Sequence, residues 1–243
     1  MLVVVSRFSD NGDVRLHFLD SGGDDRGAPI VFVPGMTCIA EDYAEVLPLF
    51  GRRTVVVELR GHGRSDAPAA GYDLAALSAD VGAVVDAVTR GRVHLMTFSR
   101  GTSYTVKWAL SNPARVRSLA IGDYIPEERL LPEGAPRRLL DGRWRGTSVR
   151  ERLDYDAAMK TFQSARPRSF WKELARLCIP LLAVRSGERV LVTDEQWARY
   201  RREFPDAQLV EFDDSPHDIF RPDRRRFPLL VREHAERADA RFG

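Results

Sequence analysis

Short runs of β-branched and apolar residues alternate with longer stretches of helical spacing along most of the 243-residue chain. Few folds accept such an alternation. Val3–Ser6 and Val14–Leu19 read as two strands joined by the turn Asp10-Asn11-Gly12-Asp13. Ile30–Val33, Thr54–Leu59, Val93–Phe98, Val116–Ile121, Ile179–Val184 and Gln208–Phe212 follow as strand candidates. The third to seventh are near-continuous apolar runs, as parallel strands covered on both faces must be. Between them, Leu74–Val88 carries apolar residues three and four apart. Arg100–Leu110 stops at Asn112-Pro113, Thr193–Phe204 has Thr193 as its N-cap, and Arg221–Arg241 holds one more helix. The pattern predicts an eight-stranded, mostly parallel α/β sheet flanked by helices, with the opening hairpin as an antiparallel edge.

Composition excludes several classes. Hydrophobic residues make up 44% of the chain, enough for a full core. Cys38 and Cys178, far apart in sequence, rule out a disulfide scaffold. The 37 basic and 35 acidic residues give a formal net charge of +2 and no reason to expect nucleic acid. Neither a signal peptide nor an apolar run of the ~20 residues that span a bilayer is present, so the expectation is a cytoplasmic protein with reduced thiols. Only Lys107, Lys160 and Lys172 among the basic residues are lysines. Codon bias explains such an excess of arginine, but arginine is also the residue that grips a carboxylate with two parallel hydrogen bonds.

The strongest local signal is Thr97-Phe98-Ser99-Arg100-Gly101, between an apolar run and a helix. A strand–turn–helix of this kind raises a serine hydroxyl above a sheet on a strained turn. A bland reading of Ser99 is a serine that only starts the helix. Val31-Phe32-Val33-Pro34-Gly35-Met36, Arg60-Gly61-His62-Gly63-Arg64-Ser65, the Ser99 turn and Asp214-Ser215-Pro216-His217 occur in the order and spacing of one family. As a set, they resemble the α/β-hydrolase fold family along nearly the whole chain. Two departures are Thr97 in place of the first glycine of the turn and Pro34 where histidine often precedes glycine.

The resemblance implies roles. Ser99 matches the nucleophile and His217 the general base that takes its proton. The backbone N–H groups of Met36 and Arg100 match the oxyanion donors, which can contribute roughly 3–4 kcal/mol each. The acid partner of the histidine is open. The usual place after the seventh strand reads Gly187-Glu188-Arg189-Val190, with valine in the slot for aspartate. A second arrangement places the acid at the end of the sixth strand, where Asp123 stands; Glu188, Asp194 or no acid at all are the alternatives. His62 reads as a turn residue, and His17, His94 and His234 as structural or solvated. No His, Cys, Asp or Glu cluster has metal-ligand spacing, so no metal and no cofactor is called for.

The alternation breaks once, between Ile125 and Cys178. This gives an α/β core over 1–124 and 179–243 and a small helical cap over 125–178. Trp144 and Phe162 are candidate pocket walls, or alternatively part of the cap's own core. Arg100 and the cap arginines Arg137, Arg138, Arg143, Arg145, Arg150 and Arg152 are candidates to meet an anionic group on a substrate. The expectation is a cofactor-independent serine hydrolase, monomeric or homodimeric, acting on a small carboxylic ester or lactone. Carbon–carbon bond hydrolase, thioesterase, acyltransferase and perhydrolase chemistry use the same parts. A low-turnover ligand-binding or signalling protein on the same fold is the competing class. A nucleotide-binding protein is disfavoured by the lack of a glycine-rich phosphate loop.

Overall fold

A computed structural model of the chain describes residues 4–23, 27–188 and 191–241. Val3, Arg189 and Val190, all named above, lie outside them. The main sheet contains β1 (Val5–Asn11), β2 (Val14–Asp20), β3 (Ile30–Val33), β4 (Thr54–Val57), β5 (Val93–Phe98), β6 (Val116–Gly122), β7 (Leu181–Ser186) and β8 (Gln208–Phe212). Their spatial order is β1-β2-β4-β3-β5-β6-β7-β8. From β4 to β8 every neighbouring pair is parallel, and only the pairs involving β1 and β2 are antiparallel.

Alternate residues of the buried strands feed two cores. Val31, Val33 and Leu95 face α1 (Leu74–Val88) and α2 (Gly101–Ser111). Ile30, Phe32 and Met96 face the opposite layer, built from a 3₁₀ stretch at Ala40–Phe50 and the last helix. This is the two-residue period of a strand covered on both sides. Numbered in chain order, the remaining helices are α3 (Ala135–Leu140), α4 (Tyr155–Ser164), α5 (Trp171–Ala175), α6 (Asp194–Glu203) and α7 (Arg226–Ala240). Asp73 caps α1 by accepting from the Ala76 N–H, and Thr193 caps α6 through a capping box with Gln196. Among the described residues no helix is long and apolar enough to cross a membrane. Both cysteines are free, Cys38 buried and Cys178 exposed.

Several boundaries differ from the sequence reading. The first strand runs to Asn11 rather than ending at Ser6, and the hairpin turns tightly through Gly12-Asp13. As an exposed edge, it has little apolar alternation to reveal its length. The seventh strand starts at Leu181, after Pro180, which has no N–H to give the ladder. The helix expected within the Arg221–Arg241 tail spans Arg226–Ala240. The 3₁₀ stretch at Ala40–Phe50, which contains Pro48, went unread; it buries Tyr43, Val46, Leu47 and Phe50.

The chain between β6 and β7 leaves and re-enters the body through a two-stranded neck, Glu127–Glu128 against Arg168–Ser169. Within it, Leu140, Val149, Leu153, Ala158 and Phe162 form a small cluster that includes Met36 from the loop after β3. Phe170, Trp171 and Leu174 instead join the larger core beside Tyr200 and Trp197. Packing therefore draws the far end of the 125–178 segment into the body.

His94 and His234 are buried, and burial pushes each down from 6.5 to about 4. The Arg52 guanidinium donates to His94 Nε2 at 2.9 Å and Ser118 Oγ lies 2.8 Å from Nδ1, an arrangement that fits a neutral ring. The unfolded chain therefore binds more protons than the folded one between about pH 6.5 and pH 4. Stability is full above that window and falls as pH is lowered through it, by on the order of 3 kcal/mol per group at its acid end. Urea unfolding at pH 7 and pH 4.5 should show the loss, and a His94→Gln/His234→Gln variant should show a flatter pH dependence.

Candidate active site

The turn after β5 forces Ser99 into a left-handed conformation, φ 54°. Its N–H donates to the Gly122 carbonyl (2.9 Å) and its carbonyl accepts from Thr102 N–H (3.0 Å), so the strain is held from both sides. Gly101 is required here: a Cβ on it would lie 2.4 Å from the Pro34 carbonyl oxygen and 2.5 Å from that of Val33. Thr97, the departure from the usual small residue, is fully buried and its hydroxyl lies 2.9 Å from that of Thr102.

His217, in the loop between β8 and α7, places Nε2 2.9 Å from Ser99 Oγ. Its Nδ1 lies 2.6 Å from Asp123 Oδ2. The ring stacks on Phe98 at a centroid distance of 5.0 Å, which fixes its plane. Asp123 is fully buried at the end of β6, also at positive φ, 44°. Its carboxylate accepts from the Ser186 N–H at 2.9 Å and from the Ser186 hydroxyl at 2.8 Å. β6 and β7 are paired in parallel up to Gly122 and Val184, which sets these two strand ends side by side. Glu188 is exposed in the loop after β7, where its backbone N–H bonds the Ser215 carbonyl; Asp194 is spent on Arg185 at the surface. Neither carboxylate bonds the imidazole.

The loop after β3 is held by its carbonyls. His62 Nε2 donates to the Met36 carbonyl (2.8 Å) and Arg152 Nε to that of Thr37 (2.8 Å), while Cys38 N–H bonds the Gly35 carbonyl (3.1 Å). None of the hydrogen bonds among the described residues uses the N–H of Met36 or of Arg100. The Arg60–Ser65 segment supports this loop from below. Arg60 grips fully buried Asp80 with two bonds of 2.8 and 2.6 Å. Glu58 accepts from Ala40 and Arg64 N–H and pairs with His17 at 2.7 Å. Those hydrogen bonds hold the Glu58 carboxyl below its ordinary value despite its burial, which pushes the other way. A Cβ on Gly63 would collide with the Glu58 carboxylate at 2.2 Å.

A cavity of about 420 Å³ opens above Ser99, lined mostly by apolar side chains. Met36, Arg100, Trp144, Phe162 and His217 line it with Ser99, so the structure brings the sequence-predicted residues together. Trp144 stands edge-on to His217 at 6.4 Å, with its indole N–H buried and unpartnered. The roles of three side chains differ from or go beyond the sequence reading. Ser186 holds Asp123, and Phe98 stacks on His217. Arg145, taken above as a candidate anion binder, makes a bidentate pair with Asp218 (2.8 Å each), the residue after His217, and bonds the Asp42 carbonyl. Its charge therefore ties down the histidine loop. Arg152 likewise pairs with Asp42, and Arg150 with Asp141. Of these three, only Ser186 had a sequence signal, its position at the end of an apolar run beside the empty acid slot.

A family model described as the alpha/beta hydrolase family matches residues 30–228. The chain is 31% identical over 132 residues to a non-heme chloroperoxidase of Streptomyces lividans, covering 51% of this chain and 48% of that protein. It is 29% identical over 124 residues to a 2-(acetamidomethylene)succinate hydrolase of Mesorhizobium japonicum, covering 50% and 44%. The matched region thus spans about half the length of these relatives. The enol-lactonase structure from Burkholderia xenovorans superimposes with a TM-score of 0.80 at 17% identity, covering 95% of this chain and all of that one, a likeness of fold. With the matching model running from β3 through the loop of His217 and into α7, the chain belongs to the alpha/beta hydrolase family.

Proposed function

We propose that this protein is a serine hydrolase that cleaves a small carboxylic ester or lactone through an acyl-enzyme, with residues 125–178 as a cap over the site. The observation that supports the reading best is the continuous chain Asp123–His217–Ser99, with contacts of 2.6 and 2.9 Å. As Ser99 Oγ attacks the carbonyl carbon, its proton passes to His217 Nε2. The imidazolium is stabilised by the Asp123 carboxylate, itself kept in place by Ser186. The carbonyl oxygen, now negative, takes the N–H groups of Met36 and Arg100. Collapse expels the alkoxide, which receives the proton from Nε2. A water then repeats the sequence on the acyl-enzyme, giving its proton to His217 and releasing the acid. No further group is needed for this cycle.

The lactone arm follows the name of the enol-lactonase that shares the fold. The relatives above are named for different reactions, so a panel of esters, lactones, thioesters and amides decides the bond. The serine chemistry has a direct test. A fluorophosphonate probe should label the folded protein once, and Ser99→Ala should abolish labelling. Folded wild-type protein that takes no label would overturn the reading in favour of a ligand-binding module.

A further inference from the structure

We infer that Arg100 forms a carboxylate subsite in this cavity, so that the substrate is an ester or lactone carrying a free carboxylate away from the bond that is cut. The inference rests on the reading of Ser99 as nucleophile. The Arg100 side chain points to it by what it lacks. The residue is only 5% exposed, yet no carboxylate pairs with it within ion-pair distance among the described residues. Its Nε donates to the Tyr104 hydroxyl and one Nη to the Arg129 carbonyl, each at 3.0 Å. The remaining nitrogen, Nη2, is buried without a partner. The guanidinium carbon lies 5.0 Å from the ring centre of Phe162, and Arg100 and Phe162 both line the cavity at Ser99.

The groups facing this guanidinium favour its charged form, but none of them forms an ion pair with it among the described residues. Tyr104 and Tyr124 are neutral hydroxyls that both hydrogen-bond the guanidinium, each pushed above its ordinary value by burial. Glu128 is the acidic group nearby; burial pushes its carboxyl up while the Arg100 charge pulls it down, and the two make no ion pair among the described residues. A buried cation with an unused N–H is costly until a partner arrives. The other arginines of the region show the contrast: Arg145 and Arg152 are committed to Asp218 and Asp42. Arg138 adds a second positive charge at the exposed rim of the same cavity. The remaining walls are largely apolar, with Phe98, Leu139, Trp144 and Leu191 among them. One unpaired guanidinium nitrogen in an apolar chamber suits a singly charged carboxylate on a hydrocarbon body.

The test compares kcat/KM for the p-nitrophenyl monoester of adipic acid with that for its neutral match, p-nitrophenyl hexanoate. Wild-type protein should favour the acidic ester by about tenfold or more, the scale of one charge-assisted hydrogen bond in a buried site. Arg100→Met should remove that preference, and Arg100→Lys should keep part of it; the readout is the ratio within each protein, not the absolute rate. A second measurement does not need turnover. Calorimetric titration of Ser99→Ala protein with adipate should show binding that is lost in Ser99→Ala/Arg100→Met. Labelling at Ser99 with equal or better turnover of hexanoate overturns the subsite and leaves the hydrolase reading intact. Adipate binding that needs Arg100, in a protein that neither labels nor hydrolyses, supports the subsite and overturns the hydrolase reading. A preference that survives in Arg100→Met overturns the subsite.

Discussion

Ser99→Ala is expected to lower kcat for the best ester substrate by about 10⁵- to 10⁶-fold, with KM changed far less. The reason lies in the geometry of the turn. Ser99 Oγ is the group 2.9 Å from His217 Nε2, inside the cavity that also holds the Met36 and Arg100 main chain. Removing it leaves the cavity walls and both N–H donors in place, so binding persists while the covalent step is lost. Water attack assisted by the remaining donors would leave a residual acceleration of about 10³–10⁴ over the uncatalysed reaction. The check is steady-state kinetics on a variant shown by circular dichroism to be folded. Alanine is well suited to the test because it removes one oxygen atom and keeps a Cβ at φ 54°. Activity within tenfold of wild type would exclude Ser99 as the nucleophile.

Asp123→Asn is expected to lower kcat by about 10²- to 10⁴-fold, whereas Glu188→Gln should stay within about twofold of wild type. An asparagine at 123 keeps the shape and, through Oδ1, the acceptor for the Ser186 N–H, while its amide NH2 takes the place of the oxygen that accepts from the Ser186 hydroxyl. It loses the negative charge that stabilises the imidazolium. It also presents an amide N–H to Nδ1, which turns the imidazole to the tautomer that cannot accept the Ser99 proton. Glu188, exposed and engaged only through its backbone, has no such contact to lose. Rate measurements across pH separate the two effects, because a tautomer error lowers the plateau while a lost charge also moves the acid limb. Near-wild-type turnover in Asp123→Asn would remove it from the proton path.

The same two residues show how far the chain could be read. Ser99 and His217 were legible because each sits in a local pattern, a strand–turn–helix and a loop after the last strand. The bounds of α1 were legible for the same reason, since Leu74–Val88 states its own period. The acid was left open among Asp123, Glu188 and Asp194, because all three are carboxylates that follow a strand end within a few residues. What separates them is the parallel pairing of β6 with β7, which puts Asp123 beside Ser186 and within 2.6 Å of a histidine 94 residues away. β1 and the Ala40–Phe50 stretch were misread or missed because an edge strand shows little alternation and a 3₁₀ stretch with an internal proline keeps neither period.

Arginine shows the division most clearly. Composition could say only that the chain is rich in it. In the folded protein Arg60 locks Asp80, Arg145 and Arg152 tie loops around the site, and Arg100 is buried at the cavity with one nitrogen unmatched. The sequence by itself determined the alternation of strands and helices, the turn at Ser99 and the candidates for chemistry, because periodicity and turn geometry act over a few residues. Only the tertiary structure decided which carboxylate meets His217 and that the Arg100 guanidinium is buried without an ion pair. Burial and ion pairing depend on segments brought together from far apart in the chain, and no local spacing encodes them.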